Sequence, residues 1–149
     1  MEQGKENTCC FFGHRDTPFR LREQLKLAVR ILIVTGVADC FYVGTHGNFD
    51  KMAYGILQEL QKQYPHIRYY VVPAYPLNER TKALYGDHAV YPDDLTEPVD
   101  PKFAVYDRND WMIRQSRYVL CYITRSYGGA HHFVTKAEQN GLIIVNLKC

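Results

Sequence analysis

The chain has 149 residues, of which 46% are hydrophobic and 23% charged, and its formal net charge is +2. This length suits one domain with a proper core and is too short for two, so we expect residues 1–149 to form a single domain. Lys and Arg are dispersed along the chain rather than gathered into a tract. The composition therefore argues against nucleic acid as a partner.

The cysteines and the N-terminal residues indicate the compartment. Five cysteines occur, their number is odd, and none forms a CxxC pair, which is typical of free thiols in a reducing environment. The first residues, MEQGKENT, lack the apolar stretch of a signal peptide, and no window approaches the roughly 18 apolar residues of a membrane helix. We expect a cytoplasmic protein with no membrane partner, and a disordered tail at residues 1–7.

The first half of the chain alternates strand and helix patterns. TCCFF, at residues 8–12, predicts a buried strand closed by Gly13, and the stretch after Pro18 has apolar residues at helical spacing up to a C-cap at Gly36. DCFYVG predicts a second strand. A one-sided helix is expected from residue 48 or 49 to the residue before Pro65, and IRYYVVP predicts a third strand.

The second half begins with an irregular segment, residues 73–100, which holds four prolines and is expected to be a long loop or lid. PKFAVYDRNDWMIRQS predicts a helix with a break near Asp107, and RYVLCYIT predicts a fourth strand. A glycine-bounded helix, GGAHHFVTKAEQNG, and a fifth strand, LIIVNL, complete the pattern. The expected fold is α/β: a Rossmann-like three-layer sandwich with a mostly parallel five-stranded sheet and helices on both faces.

Three loops follow strands of this sheet and are expected to meet at its carboxyl edge: GHRD (13–16), GTHGNFD (44–50) and RSYGGAHH (125–132). Two of them run from glycine directly into a helix, where unpaired N–H groups and the helix dipole favour an anion. Arg15 and Arg125 are candidate charged donors, with Arg108 as a third. The loops predict a site for a phosphate-bearing small molecule.

Other readings of these residues stay open. Glycine at either turn can serve geometry alone, Arg15 can be a solvated or ion-paired arginine, and Asp50 can be a first-turn acid. His14, His46, His131 and His132 lack the spacing of a zinc-binding face, so no metal site is predicted. Tyr75, Tyr85 and Tyr91 lie in the long loop, where packing is favoured over stacking on a base.

The order of the motifs resembles the SLOG superfamily, the Rossmann-like group of the Smf/DprA and Lonely-Guy proteins. The resemblance rests on FFGHRDTP, VGTHGNFDKMA, the Arg-Asn pair at 108–109 and CYITRSYGGAHHFVTKAEQNGLIIVNL, and it spans residues 8–147. The most similar branch is its small stand-alone bacterial proteins, in which the first strand ends in TGHR.

The resemblance implies a fold that binds nucleotides or nucleotide-derived ligands, with no further cofactor required. The late glycine pair would contact phosphate and the second turn would lie beside sugar or base. The residues that the match or the loop geometry assigns to the ligand are Gly13, His14, Arg15, Gly44, Thr45, Gly47, Asp50, Arg108, Asn109, Arg125, Gly128 and Gly129.

The Lonely-Guy enzymes hydrolyse the N-glycosidic bond of nucleoside monophosphates, using an Arg and the Glu of PGGxGTxxE. In YGGAHHFVT, Tyr127 replaces the proline and Thr135 stands where the glutamate would be. A threonine cannot stabilise the positive charge that develops on the sugar. If the protein is a hydrolase of nucleoside phosphates or nucleotide sugars, Asp50 or Glu138 is expected to supply the carboxylate.

The expected function is therefore binding of a nucleotide or nucleotide-derived ligand, as a sensor or regulatory module, with the hydrolase as the alternative. Apolar residues on the first helix leave a homodimer open.

Overall fold

The computed structural model describes residues 5–96 and 100–148. Its strands and helices are, in chain order, β1 (Thr8–Gly13), α1 (Arg22–Val34), β2 (Cys40–Val43), α2 (Gly47–Gln63), β3 (Arg68–Val71), α3 (Glu79–Tyr85), α4 (Ala104–Gln115), β4 (Tyr118–Tyr122), α5 (Gly129–Gln139) and β5 (Ile143–Asn146). Short 3-10 turns lie at Phe19–Leu21, Gly86–His88 and Pro101–Phe103. No helix in the described part of the chain has the length and apolar content to cross a bilayer.

The five strands are all parallel and lie in the order β3-β2-β1-β4-β5. The predicted α/β Rossmann-like fold is confirmed. β1 lies at the centre, with β2 on one side and β4 on the other, so the direction of chain progression reverses between β1 and β4. In such sheets a crevice opens beyond the carboxyl ends of the two strands at the reversal.

Alternate residues of β1 face two apolar cores. Cys9 and Phe11 point into a core shared with α1 and α2, whereas Cys10 and Phe12 point into a core shared with α4 and α5. This uniformly buried pattern is what a central parallel strand requires, because helices cover both of its faces. The ring of Phe49, from the first turn of α2, packs on Phe11 and fixes that turn against the end of β1.

Two local expectations differ from the structure. α4 runs unbroken through Asp107 and is preceded by a 3-10 turn. The segment after residue 73 contains α3, whose start is fixed by a capping box between Asn78 and Thr81. This short helix buries none of its residues, so it lacks the apolar periodicity by which longer helices are recognised.

The segment after α3 covers the β3 edge of the sheet. Ala89 forms a parallel bridge with Val71, and the ring of His88 stacks on Tyr69 with centroids 3.9 Å apart. At the start of the chain, the Asn7 carbonyl accepts hydrogen bonds from the amides of Asp39 and Cys40. Asn7 is therefore held against the sheet, while residues 1–4 of the expected tail lie outside the described residues.

The close packing of Gly13 on Phe49 can be tested with a matched pair of glycine substitutions. A Cβ at Gly13 would overlap the ring of Phe49, whereas a Cβ at Gly55, in the middle of α2, would meet no atom within 4 Å. We expect Gly13→Ala to lower the free energy of unfolding by about 1–3 kcal/mol. Gly55→Ala should raise it by up to ~1 kcal/mol, because alanine is the better helix former. Urea unfolding measures both, and a Gly13→Ala protein as stable as the wild type would contradict the packing described.

Candidate functional site

A cavity of about 460 Å³ opens at the carboxyl edge of the sheet, between the loops after β1 and β4 and the side of α4. It lies at the reversal point that the strand order defines. Nine of the residues predicted from the sequence line it: Gly13, His14, Arg15, Asp50, Arg108, Asn109, Arg125, Gly128 and Gly129. Segments that are far apart in the chain therefore meet at one rim.

Four other predicted residues do not line this cavity. Gly44 and Thr45 lie next to Arg108, and Gly47 lies against Arg15. Glu138 is exposed in the last turn of α5, at the opposite end of that helix from Gly129. A helix of this length separates its two ends by roughly 15 Å, so Glu138 does not share a site with Asp50.

Gly44 and Gly47 allow close packing of the second turn on its neighbours. A Cβ at Gly44 would lie 2.8 Å from a carboxylate oxygen of Asp50 and 2.9 Å from Nη1 of Arg108. Gly47 has φ of +87°, and a Cβ there would lie 2.6 Å from the Cα of Arg15. Glycine is thus needed at residue 44, where the second turn meets Asp50 and Arg108, and at residue 47, where it meets the first loop.

The second turn has protein acceptors for two of its amides. The His46 amide donates to Oδ2 of Asp50 at 2.9 Å, and the Asn48 amide donates to the Arg15 carbonyl at 2.9 Å. These N–H groups are occupied within the protein. These two amides are therefore not open to an anion, and the bond from Asn48 joins the second turn to the first loop.

The start of α5 is different. Gly128 has φ of +95° and directs the chain into the helix, and no side chain caps this end within the described residues. The amides of the first turn, at residues 129–131, have no partner inside the helix because the ladder begins with the bond from His132 to the Gly128 carbonyl. Gly128 and Gly129 border the cavity, so these open N–H groups and the helix dipole favour an anion there.

Arg108 is a buried cation with only 2% of its surface exposed. Its guanidinium donates to Oδ1 of Asn109 at 2.6 Å and to the Val72 carbonyl at 2.8 Å. Further contacts reach Oγ1 of Thr45 at 3.5 Å and Nδ1 of His46 at 3.3 Å. Arg108 is consequently a fixed part of the cavity wall, with most of its donors committed to neutral protein acceptors.

Asp50 lies next to this arginine without forming a direct ion pair with it. Burial raises the pKa of its carboxyl group to about 6, even though Arg108, the His46 amide and Arg15 act in the opposite direction. Burial, followed by Arg108 and Arg15, lowers the pKa of His46 to about 4. A neutral His46 can accept from Arg108 at Nδ1, which places its proton on Nε2.

His14 and Arg125 tie the loops after β1 and β4 together. Nε2 of His14 accepts a hydrogen bond from the Thr124 amide at 3.0 Å, and burial lowers the pKa of this imidazole. Arg125 forms a bidentate pair with Asp16, at 2.8 and 3.2 Å. Both residues border the cavity, but each already has a protein partner.

Arg15 is the cation at this rim that the protein leaves available. Its residue is exposed, it lines the cavity, and it makes no ion pair with a carboxylate in residues 5–96 or 100–148. The positive charge of Arg15 still acts on the interior of the site. It favours a lower pKa for both His46 and Asp50, although burial raises the pKa of Asp50 overall. An anionic ligand can therefore find a free guanidinium beside the open start of α5.

An apolar wall completes the cavity and was missing from the sequence prediction. Val105 and Met112 of α4, Phe133 of α5 and Tyr127 of the loop before it form this wall. The sequence of α4 could have predicted this wall. Residues 105, 108, 109 and 112 share one face of a helix, but only if that helix is continuous. None of the loop tyrosines at 75, 85 and 91 borders the cavity.

No group of three or more His, Cys, Asp or Glu side chains in the described ranges is arranged to hold a metal ion. Cys9, Cys10, Cys40 and Cys121 are buried free thiols. Burial raises the pKa of Cys10 and Cys121 to about 12, so both remain protonated and unreactive near neutral pH.

The buried carboxyl group of Asp50 predicts a pH-dependent effect on stability. Its pKa rises from 3.8 to about 6 on folding, so the native state holds a proton that the unfolded chain has lost between these pH values. Stability attributable to Asp50 falls as pH rises through this window, by about 3 kcal/mol once both states are ionised. The groups that act on this carboxyl group are Arg108, Arg15 and the His46 amide. Its charge in turn helps to raise the pKa of Tyr85.

Asp50→Asn should therefore raise the free energy of unfolding by about 1–3 kcal/mol at pH 8 and leave it unchanged at pH 3.5. The asparagine can still accept the hydrogen bond from the His46 amide. Asp94→Asn, at an exposed carboxylate, is the matched control and should have little effect at either pH. Urea unfolding at both pH values tests this, and equal destabilisation by Asp50→Asn at both would contradict the account.

Comparison with known proteins supports the fold. The chain is similar to the X-ray structure of DNA processing protein A (DprA) from Streptococcus pneumoniae, with a TM-score of 0.67 and 16% sequence identity. The similarity covers 93% of this chain and 49% of that chain, so the present chain spans about half the length of that protein. No protein-family model and no curated protein matches the sequence. The Rossmann-like fold of DprA is thus also the fold of this chain.

Proposed function

We propose that this chain is a protein of the SLOG superfamily that binds a nucleotide or nucleotide-derived small molecule in the 460 Å³ cavity, as a sensor or regulatory module. One observation carries the proposal: the uncapped start of α5 borders the same cavity as Arg15, whose guanidinium pairs with no carboxylate of the described residues. Backbone amides at a helix start and an arginine are a common combination for binding phosphate.

The rest of the cavity suits the remainder of such a ligand. Val105, Met112 and Phe133 offer apolar surface to a base, and Asn109 and Asp50 offer polar groups to a sugar. Ligand cavities usually measure about 300–1,000 Å³, so this one is at the lower end and fits a single nucleotide better than a dinucleotide. The similarity to DprA and the order of the motifs agree with the assignment to the superfamily.

Ligand-induced stabilisation tests the proposal. We expect AMP or ADP-ribose at saturating concentration to raise the melting temperature, since a ligand at 100 times its Kd stabilises the native state by about 2.7 kcal/mol. Arg15→Ala should abolish this shift with little change in the melting temperature of the free protein. Arg20→Ala, an exposed arginine that does not line the cavity, is the matched control and should retain the shift.

Two results would count against this function. The first is that nucleotides, ADP-ribose derivatives and cyclic dinucleotides all leave the melting temperature unchanged. The second is that Arg15→Ala lowers the stability of the free protein as much as it lowers the ligand-induced shift, which would make Arg15 a structural residue.

A second candidate function is hydrolysis of the N-glycosidic bond in a nucleoside phosphate or nucleotide sugar. The observation in its favour is Asp50, a carboxyl group on the cavity wall whose pKa is raised to about 6. A carboxylate in a partly apolar cavity can stabilise positive charge on a sugar or position a water molecule. Asp50 would take the role of the missing glutamate, and Glu138 is too far away to do so.

For the hydrolase, the expected product is free base, with a rate that falls below pH about 6 as Asp50 becomes protonated. Asp50→Asn should reduce the rate by at least ~100-fold, the lower end of the contribution of an acid–base group, while nucleotide-induced stabilisation persists. Glu138→Gln is the control and should retain the full rate. Release of base that survives Asp50→Asn would remove Asp50 from this role.

A further inference from the structure

A second cavity, of about 350 Å³, lies at the other end of the sheet. The first residues of β1, β2 and β3, namely Thr8, Cys40 and Arg68, border it, so it lies at the amino edge rather than the carboxyl edge. Trp111 and Gln115 of α4 form the facing wall. The motifs considered above do not include this cavity, and none of its lining residues borders the first one.

One side of the second cavity is aromatic. The Tyr42 ring packs beside that of Tyr70, with centroids 5.6 Å apart, and against the edge of the Trp111 indole at 5.1 Å. Burial raises the pKa of Tyr42 to about 12, so its hydroxyl group is neutral near physiological pH. These rings offer a planar ligand both stacking and edge contacts.

The other side is cationic. Lys5 and Arg68 line the cavity, and among the described residues that line it there is no Asp or Glu. Nη2 of Arg68 lies 3.9 Å from Oδ1 of Asp39, beyond hydrogen-bond distance, and 58% of the arginine side chain is exposed. This long ion pair with Asp39 leaves donors of the Arg68 guanidinium for a further partner.

The indole N–H of Trp111 is a buried donor without an acceptor in the described part of the chain. Trp111 itself is only 7% exposed. A buried donor left unpaired costs about 1–3 kcal/mol, so such groups are uncommon in folded proteins unless a ligand or a water molecule satisfies them. The nitrogen atom itself is buried, so Trp111 contributes its ring rather than this donor to the cavity wall.

We propose that the second cavity is a binding site for a small aromatic acid, a single ring that carries a carboxylate. The ring would pack against Tyr42, Tyr70 and Trp111, and the carboxylate would pair with Arg68 and Lys5. A planar carboxylate matches the fork of donors on a guanidinium, and a single ring fits a volume near the lower limit of ligand cavities. The site is separate from the nucleotide cavity and does not depend on its function.

The chain provides a direct probe of this site, because Trp111 is its only tryptophan. Benzoate and 4-hydroxybenzoate, added to the full chain, should change the tryptophan emission saturably, with Kd values in the millimolar range typical of such small molecules. Arg68→Ala should weaken this binding about fivefold or more, and Lys5→Ala should act in the same direction. Benzamide, which has the same ring without the charge, should bind about fivefold more weakly than benzoate.

Arg15→Ala, in the first cavity, is the matched control and should leave benzoate binding unchanged. Melting curves of each variant establish that it is folded. The proposal is overturned if neither acid changes the emission saturably, if benzamide binds as well as benzoate, or if Arg15→Ala removes the response that Arg68→Ala leaves intact.

Discussion

The buried guanidinium of Arg108 is the constraint around which the carboxyl edge of this protein is organised. A cation with 2% exposure is tolerated only if its donors are satisfied, and here a carbonyl, an amide side chain, a hydroxyl and an imidazole provide the acceptors. Three of these come from outside α4: Val72 follows β3, and Thr45 and His46 follow β2. The arginine thus fixes α4 against two strand ends, and Gly44 is needed because any side chain there would collide with it.

Asp50 is a buried carboxyl group that lowers the stability of the fold at neutral pH. Its carboxyl group is close enough to Arg108 to feel the charge, yet the two form no direct pair, and the net effect of burial is to raise its pKa. A carboxylate that costs stability at neutral pH contributes little to holding the fold together. Residues of this kind concentrate at functional sites, where an unfavourable native environment is retained because it serves binding or catalysis.

Much of the fold could be predicted from the sequence because its signals are local. The short apolar runs ending in Gly13 and Gly44 and the one-sided pattern of α2 define a parallel α/β sheet with little ambiguity. The short helix α3 was not predicted. Asn78 provides a capping signal, but the helix that follows it has no buried apolar face. The expected break in α4 was wrong: polar residues around Asp107 interrupt the apolar pattern, whereas the helix is held by buried residues on its other face.

The site was predictable at the level of loops but not of individual contacts. Which loops meet follows from strand order, and nine predicted residues do border the first cavity. Whether a donor is open or occupied depends on distances between segments: Arg125 is paired with Asp16, and the amide of Asn48 with the Arg15 carbonyl. The apolar wall likewise required the continuous α4. That helix borders both cavities, through Arg108, Asn109 and Met112 on the first and Trp111 and Gln115 on the second.

We propose that an anionic ligand binds at the start of α5 rather than at the amides of His46 and Asn48. Amide chemical shifts in a ¹⁵N-labelled sample titrated with AMP test it most directly. We expect large, saturable changes at Gly129, Ala130 and His131 and only small ones at His46 and Asn48, whose N–H groups are already bonded to Asp50 and Arg15. Saturable changes confined to His46 and Asn48, or none at residues 129–131, would contradict it.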